Sequence, residues 1–421
     1  MASLQSNESE ARLLVFSSLF PSAAAPTAGI FIKERMTRVA RKMPLVFVCP
    51  QPWFPFQSLL RLWKPSFRPM AAYRDAIGGT PVFRPRFLSV PGFFKSADGL
   101  LLALSTYFLV RRLVRDYNVD LLDVHFAYPD GFGGAKLAQW LGLPFVVTLR
   151  GKEERQAATA LRRCLAHSVK SAAHVITVSE RLAELAMQLG ACARKVTVIG
   201  NGVDLARFSP VSRDEARQAL GIAPGAKVMV SVGGLVERKG FHRVIDCIPA
   251  LKARFPELLL LIAGGAGPEG GMEAELRAQV NRLGLHDNVR FLGVLRGEEL
   301  TRAYSAADIF VLATRYEGWA NVFLEAMACG LPVVSTLVGG NAEVVQSSSV
   351  GQLVAFGDQS ALTRAIETAL VREWDRQAIR RYAEQNTWDR RVEQVVAVFD
   401  GVLQPGTTKS FLGSRPAARR V

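Results

Sequence analysis

The chain has 421 residues, of which 49% are hydrophobic and 21% are charged. These proportions exclude a globally disordered chain and a collagen-like one, and the length predicts two or three globular domains. Lysine and arginine outnumber aspartate and glutamate by 52 to 37, and the resulting net charge of +15 favours anionic partners such as phosphorylated small molecules, nucleic acid or anionic lipid.

The five cysteines lie far apart and form no CxxC pair, which is typical of reduced thiols rather than of a disulfide or zinc framework. The longest apolar run, residues 100–110, is shorter than the ~20 residues that span a bilayer, so no transmembrane helix is predicted. Residues 13–20 resemble the apolar region of a secretory signal, but acidic Glu8 and Glu10 precede them. We therefore interpret 11–16 as a buried strand and expect a cytoplasmic protein.

Short β-branched runs alternate with amphipathic segments along nearly the whole chain, the pattern of βαβ units on parallel sheets. The predicted strands of the first half are 11–16, 45–49, 121–124, 145–149, 175–178 and 196–199. Those of the second half are 228–232, 258–262, 289–292, 309–312 and 333–335. Apolar residues at helical spacing after Gly240 predict one helix with a buried stripe; they are Phe241, Val244, Ile245, Ile248 and Leu251.

A polar, glycine-bearing segment near 200–215 separates the two halves. We expect two Rossmann-like α/β domains, 1–205 and 206–385, facing each other across a cleft. A helix at 386–403 is expected to pack back on the first domain. Residues 404–421, rich in Pro, Gly, Ser and Arg, predict a disordered tail.

Residues 53–116 contain ten basic residues against three acidic ones, with aromatic residues interleaved. This composition suits an anionic membrane surface, where each Lys or Arg contributes about 1 kcal/mol and aromatic rings prefer the interface. A solvated basic face with ordinary core aromatics is the alternative. Because no nucleic-acid-binding pattern accompanies the charge, nucleic acid is not expected as a partner.

The most informative segment is 314–334, directly after the strand predicted at 309–312. Asn321 is a favourable N-cap, residues 322–329 predict a short helix, and Gly330 ends it. Its N-terminus would lie at the carboxyl edge of the sheet, where N–H groups attract phosphate. Glu317 and Glu325 could both accept hydrogen bonds from sugar hydroxyls, or could merely complement the helix N-terminus.

The segment closely resembles the Glu-x7-Glu signature of glycosyltransferase family 4, retaining enzymes that use nucleotide sugars and have the two-domain GT-B fold. Further blocks agree in order: 201–204, 239–240, 265–268, 289–293, 307–308 and 338–343. The passages 125–131 and 148–151 are similar to those of bacterial exopolysaccharide and teichuronic-acid glycosyltransferases. The resemblance implies transfer of a hexosyl unit from a nucleoside-diphosphate sugar to a glycan or polyprenyl-diphosphate-linked acceptor in cell-surface polysaccharide synthesis.

The resemblance further implies that the reaction needs no metal or cofactor and takes place on a peripheral protein at the inner face of the cell membrane. In this scheme Glu317 would bind the transferred sugar and Glu325 the ribose of the donor. Amides near Asn321 and Val322 would bind the diphosphate. The remaining donor-binding positions would be Gly29, Gly234, Gly265, Gly267 and Gly318.

Lys239 would stabilise the departing diphosphate, and His125 would hydrogen-bond the donor sugar near the reacting carbon. The family commonly has an arginine where this chain has Gly234, and Arg238 could supply the missing guanidinium. The acceptor side would be formed by Arg150, Tyr128 and Asp130. A structural role is the alternative for Gly29, His125, Arg150 and Arg238.

Two other functions compete with this interpretation. Residues 265–270 satisfy GxGxxG after a strand, which is the fingerprint of a dinucleotide-dependent oxidoreductase, although Pro268 and the position deep in the chain speak against it. The second competing function is that of a non-catalytic protein, which binds carbohydrate or nucleotide on the same scaffold. It stays open because Gly234 departs from the family pattern.

Overall fold

The structure is a computed structural model that describes residues 12–26, 28–63, 67–68, 70–267 and 270–404. The expected tail therefore lies outside the described residues apart from Gln404, and so does Pro268. The strands are β1 (Leu13–Phe16), β2 (Leu45–Val48), β3 (Gln51–Trp53), β4 (Arg74–Ile77), β5 (Thr80–Phe83), β6 (Arg86–Leu88), β7 (Leu121–His125), β8 (Phe145–Leu149), β9 (His174–Thr177), β10 (Val196–Val198), β11 (Val228–Val232), β12 (Leu259–Ala263), β13 (Val289–Gly293), β14 (Ile309–Leu312), β15 (Val333–Thr336) and β16 (Gly351–Val354).

Helices connect most of these strands. They are α1 (Ile30–Val39), α2 (Gln57–Trp63), α3 (Asp98–Tyr117), α4 (Phe132–Leu141), α5 (Lys152–Ala157), α6 (Arg162–Ser171), α7 (Glu180–Gln188), α8 (Arg213–Ala219), α9 (Phe241–Ile245), α10 (Ile248–Lys252), α11 (Glu273–Arg282), α12 (Glu298–Ala306), α13 (Asn321–Ala328), α14 (Asn341–Val344), α15 (Gln359–Val371), α16 (Arg376–Glu384) and α17 (Trp388–Leu403).

Two large sheets organise the chain. The first has the strand order β10-β9-β8-β7-β1-β2-β5-β4 and is parallel except for the antiparallel β4–β5 pair. The second has the order β13-β12-β11-β14-β15-β16 and is parallel throughout. Because parallel strands need helical crossovers, both sheets are covered by helices and their central strands are fully buried.

Every strand expected from the sequence is present, with ends shifted by at most two residues in the described part of the chain. Strands β3 to β6 and β16 and helix α2 were not expected from the sequence. The strands among these are only three or four residues long, and β3 and β5 contain Pro52 and Pro81, which remove backbone donors.

The single helix expected after Gly240 is two short helices, α9 and α10. Pro249 lies in the first turn of α10, where its missing N–H is tolerated, whereas inside one continuous helix it would remove a hydrogen bond. The expected apolar stripe is nevertheless buried, because both helices keep it against the sheet.

Helix α17 carries the chain back to the first sheet. Its buried residues Val392, Val395 and Phe399 share a hydrophobic cluster with β1, β2 and α1. At the helix start, Val203 and Trp388 are joined by a hydrogen bond of 3.2 Å from the Trp388 amide. Helix α17 thus packs against α1 and the first sheet.

Candidate functional site

The loops at the carboxyl ends of β8 and β14, which belong to different sheets, meet directly. A Cβ atom at Gly318 would collide with the carbonyl oxygen of Arg150, so only glycine permits this approach. The adjacent Trp319 is 9% exposed, and its ring fills the space that a side chain at Gly200 would take. Gly318, assigned to the donor from the sequence, and Arg150, assigned to the acceptor, are therefore brought together at one junction.

Lys239 and Glu317 form an ion pair at this junction. Lys239 ends a 3₁₀ turn after β11, and its Nζ lies 2.5 Å from Oε2 of Glu317, while Nη1 of Arg238 lies 3.7 Å from the same oxygen. Both side chains of the close pair are largely buried, at 12% and 14% exposure. Low solvent exposure strengthens such interactions, so this carboxylate and its two cations form a strong local electrostatic site.

Backbone hydrogen bonds hold the two loops that carry this ion pair. The carbonyl oxygen of Arg238 accepts from the amide of Arg315 at 2.7 Å and from Oγ1 of Thr314 at 3.0 Å. The carbonyl oxygen of Glu317 accepts from the amide of Gly340 at 3.1 Å. The positions of Arg238 and Glu317 are therefore set by the main chain.

Glycines surround the lysine at the ends of β11 and β12. The amide of Leu235 donates to the carbonyl of Gly265 at 2.8 Å, which places Gly234 beside Gly265. A Cβ atom at Gly233 would lie 3.6 Å from Cε of Lys239. The amide of Gly267 donates to the carbonyl of Gly270 at 2.7 Å. The glycine-rich loops after β11 and β12 thus lie side by side, with Gly233 next to the lysine, and such loops can present backbone amides to phosphate.

Helix α13 begins at Asn321, and Ala320 occupies the N-cap position without a side-chain cap. The expectation that Asn321 caps a helix at 322–329 was therefore wrong by one residue. The physical reason lies in the first half of the chain: Oδ1 of Asn321 accepts a hydrogen bond of 3.0 Å from Nδ2 of Asn201. The helix start, including Val322, still presents its first N–H groups without intrahelical partners.

Glu325 lies one turn further along α13 and is partly buried. Its Oε2 accepts a hydrogen bond of 3.1 Å from the hydroxyl of Tyr304. Burial raises the pKa of the Glu325 carboxyl above its ordinary value, against the opposing effects of the Tyr304 hydrogen bond and then of Arg207 and Lys239. Because Lys239 acts on this carboxyl and pairs with Glu317, both glutamates lie in the field of one ammonium group.

His125 ends β7 inside a buried polar cluster. Nε and Nη2 of Arg150 lie 3.3 Å and 3.2 Å from its Nδ1. A guanidinium can only donate, so Nδ1 is the acceptor and the ring proton is on Nε2, 3.2 Å from Oδ2 of Asp123. Burial lowers the pKa of His125 to about 4, ahead of the opposing effect of Asp123. The imidazole is therefore neutral at pH 7.

The ring of His125 is 1% exposed, so it lies beneath the surface of the junction. A direct hydrogen bond from it to a sugar requires neighbouring side chains, Arg150 first among them, to move. Arg150 itself is 8% exposed and donates from Nη1 to Oδ1 of Asn201 at 3.2 Å. Arg35 donates to the same oxygen at 3.3 Å.

Sequence reasoning missed Arg35, Asp123 and the buried Glu153. Arg35 lies on α1, and the spacing of apolar residues there does not distinguish it from an arginine on the surface. Both carboxylate oxygens of Glu153 accept from backbone amides, among them that of Gly151 at 2.8 Å, so this residue holds the loop that contacts Gly318. The one sequence signal for this role is an acidic residue two positions after a glycine at a strand end. Such a residue can accept hydrogen bonds from backbone amides at the start of a helix.

The remaining sequence-predicted residues lie in the first half. Gly29 has φ +67° before α1, and a Cβ atom there would collide with the carbonyl oxygen of Leu19. Asp130 is buried, and Ser18 donates to its Oδ2 from both N and Oγ at 3.0 Å. Burial raises the pKa of Asp130 to about 7.

Tyr128 is not brought into the junction. It is 3% exposed, and its hydroxyl donates to the carbonyl of Lys95 and accepts from the amide of Gly99 at 3.2 Å. These contacts place it at the start of α3. Ser18, by contrast, lines a cavity of about 140 Å³ at the carboxyl ends of β1 and β2. Other residues of that cavity wall are Leu19, Cys49, Gln51, Arg68 and Arg84.

Neither a metal centre nor a membrane-spanning segment is found in the part of the chain that the structure describes. Within it, no three His, Cys, Asp or Glu side chains cluster as metal ligands would. Among the described helices, none combines the length and apolarity needed to cross a bilayer.

Comparison with known proteins gives two family matches. The Glycosyltransferase Family 4 model matches residues 71–207, and the model of Glycosyl transferases group 1 matches residues 212–386. The putative teichuronic acid biosynthesis glycosyltransferase TuaC of Bacillus subtilis is 28% identical over 92% of this chain and 95% of its own. The D-inositol 3-phosphate glycosyltransferase of Salinispora arenicola is 30% identical over 70% of this chain and 72% of its own.

Solved structures show the same fold. HepE from Anabaena, in complex with UDP-glucose, superposes with a TM-score of 0.68 at 22% identity, covering 93% of this chain and 99% of its own. The solved neighbours are GT-B glycosyltransferases, and the two parallel sheets described above have the same arrangement. The fold class expected from the sequence is thereby confirmed.

Proposed function

The chain belongs to the GT4-type glycosyltransferases, and on that premise we propose that it transfers a hexosyl unit from a nucleoside-diphosphate sugar to a glycan or lipid-linked oligosaccharide, with retention of anomeric configuration and without a metal ion. The observation that carries this proposal is the ion pair of Lys239 and Glu317 beside the N-terminus of α13. A helix start and a fixed ammonium group together form a site for a diphosphate.

Donor binding would change the hydrogen-bond partners of Lys239 and Glu317. Phosphate oxygens would replace the Glu317 carboxylate on Lys239, and Glu317 would then be free to accept hydrogen bonds from hydroxyls of the transferred sugar. The first amides of α13, at Asn321 and Val322, would bind the diphosphate. Glu325 would accept from the ribose hydroxyls, which are donors that a carboxylate recognises.

The chemical step is electrostatic in this proposal. As the bond between the anomeric carbon and the diphosphate breaks, negative charge grows on the leaving oxygen, and Lys239 with Arg238 stabilises it. One positioned donor of this kind is worth about 2.7 to 4 kcal/mol. The acceptor hydroxyl would attack from the face that the diphosphate leaves and pass its proton to the departing diphosphate oxygen, so the product keeps the anomeric configuration of the donor.

The acceptor would bind at the carboxyl ends of the first sheet. Arg150 lies at the junction with Gly318, and Asp130 is joined through Ser18 to the cavity beside β1 and β2. The likeness to TuaC supports an acceptor in cell-surface polysaccharide synthesis, and we place the reaction at the cytoplasmic face of the membrane. The UDP-glucose complex of HepE makes UDP-sugars the first donors to test.

The test is an assay of the purified full-length chain with UDP-, GDP- and ADP-sugars, with and without a polyprenyl-diphosphate-linked oligosaccharide fraction. We expect release of one nucleoside diphosphate and a product whose anomeric coupling constant matches that of the donor. An inverted product would refute retention. Tight nucleotide-sugar binding without turnover would indicate the non-catalytic alternative, and binding of a nicotinamide dinucleotide instead would indicate the oxidoreductase.

A further inference from the structure

Large apolar side chains are exposed mainly in one segment of the described chain, between residues 56 and 108. Scattered exposed hydrophobic residues are ordinary, but a concentrated set marks an interaction surface. The exposed members in this segment are Phe56, Leu59, Leu60, Leu62, Tyr73, Leu88, Phe93, Phe94, Leu100, Leu104 and Phe108.

Three of them form a stripe along α3. Leu100, Leu104 and Phe108 are 42%, 54% and 77% exposed, and their spacing of four residues places them on one face of the helix. The opposite face packs into the core through Leu102 and Val110, which are fully buried. Helix α3 is thus anchored on one side and carries an apolar stripe towards solvent on the other.

Positively charged residues extend the same face of α3 towards its C-terminus. Arg111, Arg112 and Arg115 follow the stripe at the spacing that keeps them beside it, and all three are exposed. Arg112 and Arg115 share a single carboxylate, Asp116, at 3.0 Å and 2.9 Å. One carboxylate for three guanidinium groups leaves positive charge in excess at this end of the helix.

We propose that this face of α3, formed by Leu100, Leu104, Phe108, Arg111, Arg112 and Arg115, docks on an anionic lipid bilayer. The inference rests on the proposed function in one respect, namely that the acceptor is lipid-linked. A helix that lies in the membrane interface needs an apolar stripe to enter the headgroup region and cations to meet lipid phosphates. A second copy of this face would bring the arginines only the carboxylate of Asp116, which Arg112 and Arg115 already share, whereas a bilayer offers many phosphate groups.

The start of α3 is also connected by hydrogen bonds to the cavity beside β1 and β2. Asp98, the first residue of the helix, accepts from Oγ of Ser89 at 3.1 Å. Nη1 of Arg68, which lines the cavity, donates to the carbonyl oxygen of Ser89 at 2.6 Å. The first residue of the helix that would dock on the bilayer is therefore joined through Ser89 to the wall of the cavity that would take the acceptor.

The test is co-sedimentation of the full-length protein with vesicles of phosphatidylcholine alone and of phosphatidylcholine with phosphatidylglycerol. We expect binding to the anionic vesicles that decreases as salt is raised, and little binding to the neutral ones. The double variant Leu104→Gln/Phe108→Gln should weaken binding at least ~10-fold, since it removes two insertable apolar side chains. Arg111→Gln/Arg115→Gln should weaken binding to anionic vesicles specifically.

The control is Met187→Gln/Val371→Gln, which changes two apolar residues that are 42% and 46% exposed elsewhere and should bind vesicles like the unaltered chain. Unchanged vesicle binding in the α3 variants would overturn the proposal. So would a stable dimer that the α3 variants dissociate in analytical ultracentrifugation, because the face would then belong to a second copy.

Nucleotide-sugar binding, followed by thermal shift without vesicles, separates this inference from the proposed function. The α3 variants should keep the thermal shift of the unaltered chain, because the substituted side chains lie on the solvent face of α3. Loss of docking with intact nucleotide-sugar binding supports the assignment of the face. Intact docking in a chain that binds no nucleotide sugar would contradict the proposed function alone.

Discussion

Nδ2 of Asn201 donates to Oδ1 of Asn321 at 3.0 Å and so joins the loop after β10 to the first turn of α13. The orientation of the Asn201 amide follows from chemistry, because Arg35 and Arg150 both donate to its Oδ1 and guanidinium groups cannot accept. Its NH₂ group must then face Asn321. One side chain thus links the buried cluster around His125 to the helix start that would bind the donor diphosphate.

Replacing Asn201 should cost more stability than replacing its partner. Asn201→Ala removes an acceptor from Nη1 of the buried Arg150, which is worth about 1 to 3 kcal/mol, whereas Asn321→Ala removes one neutral hydrogen bond of about 0.5 to 1.5 kcal/mol. Urea denaturation of both variants measures the difference in the free energy of unfolding. Equal losses would show that Arg150 finds another acceptor.

Lys239→Ala should lower kcat at least ~100-fold, because it removes a positioned cation from the leaving diphosphate. Arg238→Ala should have a smaller effect, because the Arg238 guanidinium lies 3.7 Å from the Glu317 carboxylate, whereas the Lys239 ammonium lies 2.5 Å from it. Arg254→Ala, which breaks an exposed ion pair with Glu367, is the matched control and should leave turnover unchanged. Steady-state release of nucleoside diphosphate, with circular dichroism to verify folding, decides between these outcomes.

Glu317→Ala should also reduce turnover at least ~100-fold, by the loss of the hydrogen bonds that orient the sugar. Removal of the carboxylate leaves Lys239 without its partner in the free protein, so a nucleoside diphosphate that lacks the sugar should bind no more weakly than before. Calorimetric titration with the nucleoside diphosphate and kinetics with the complete donor check the two effects separately. Near-normal turnover would contradict a role of Glu317 at the sugar.

His125 should make the protein less stable as the pH falls from 6.5 towards about 4. Its pKa is lowered by burial from the ordinary 6.5 to about 4, so in this window the unfolded chain binds a proton that the folded chain does not. Stability therefore rises with pH here, by up to about 3 kcal/mol over the whole window.

His125→Asn retains an acceptor for Arg150 and removes the titrating ring. The difference between the free energies of unfolding of the two proteins should be constant above pH 6.5 and should change in favour of the variant at lower pH. Urea denaturation from pH 4 to 8 measures it. A difference that does not vary with pH would mean that the ring is solvated in the folded protein.

The sequence by itself determined the eleven strands that it predicted, because their apolar, β-branched character depends on neighbouring residues and not on the rest of the chain. It likewise determined the short helix after Glu317, which Gly330 ends with φ +76°. Both features follow from local periodicity and from the conformational freedom of single residues, and such signals survive without tertiary contacts.

Tertiary packing, within each half and between them, decided the rest. Asn321 does not cap its own helix because Asn201, 120 positions away, engages its side chain. Lys239 and Glu317 meet across 78 positions, and His125 lies under Arg150 rather than open to a ligand. Hydrogen bonds and burial of this kind depend on which loops the tertiary structure brings together. The pattern of neighbouring residues carries no information about contacts between residues that are far apart in the chain.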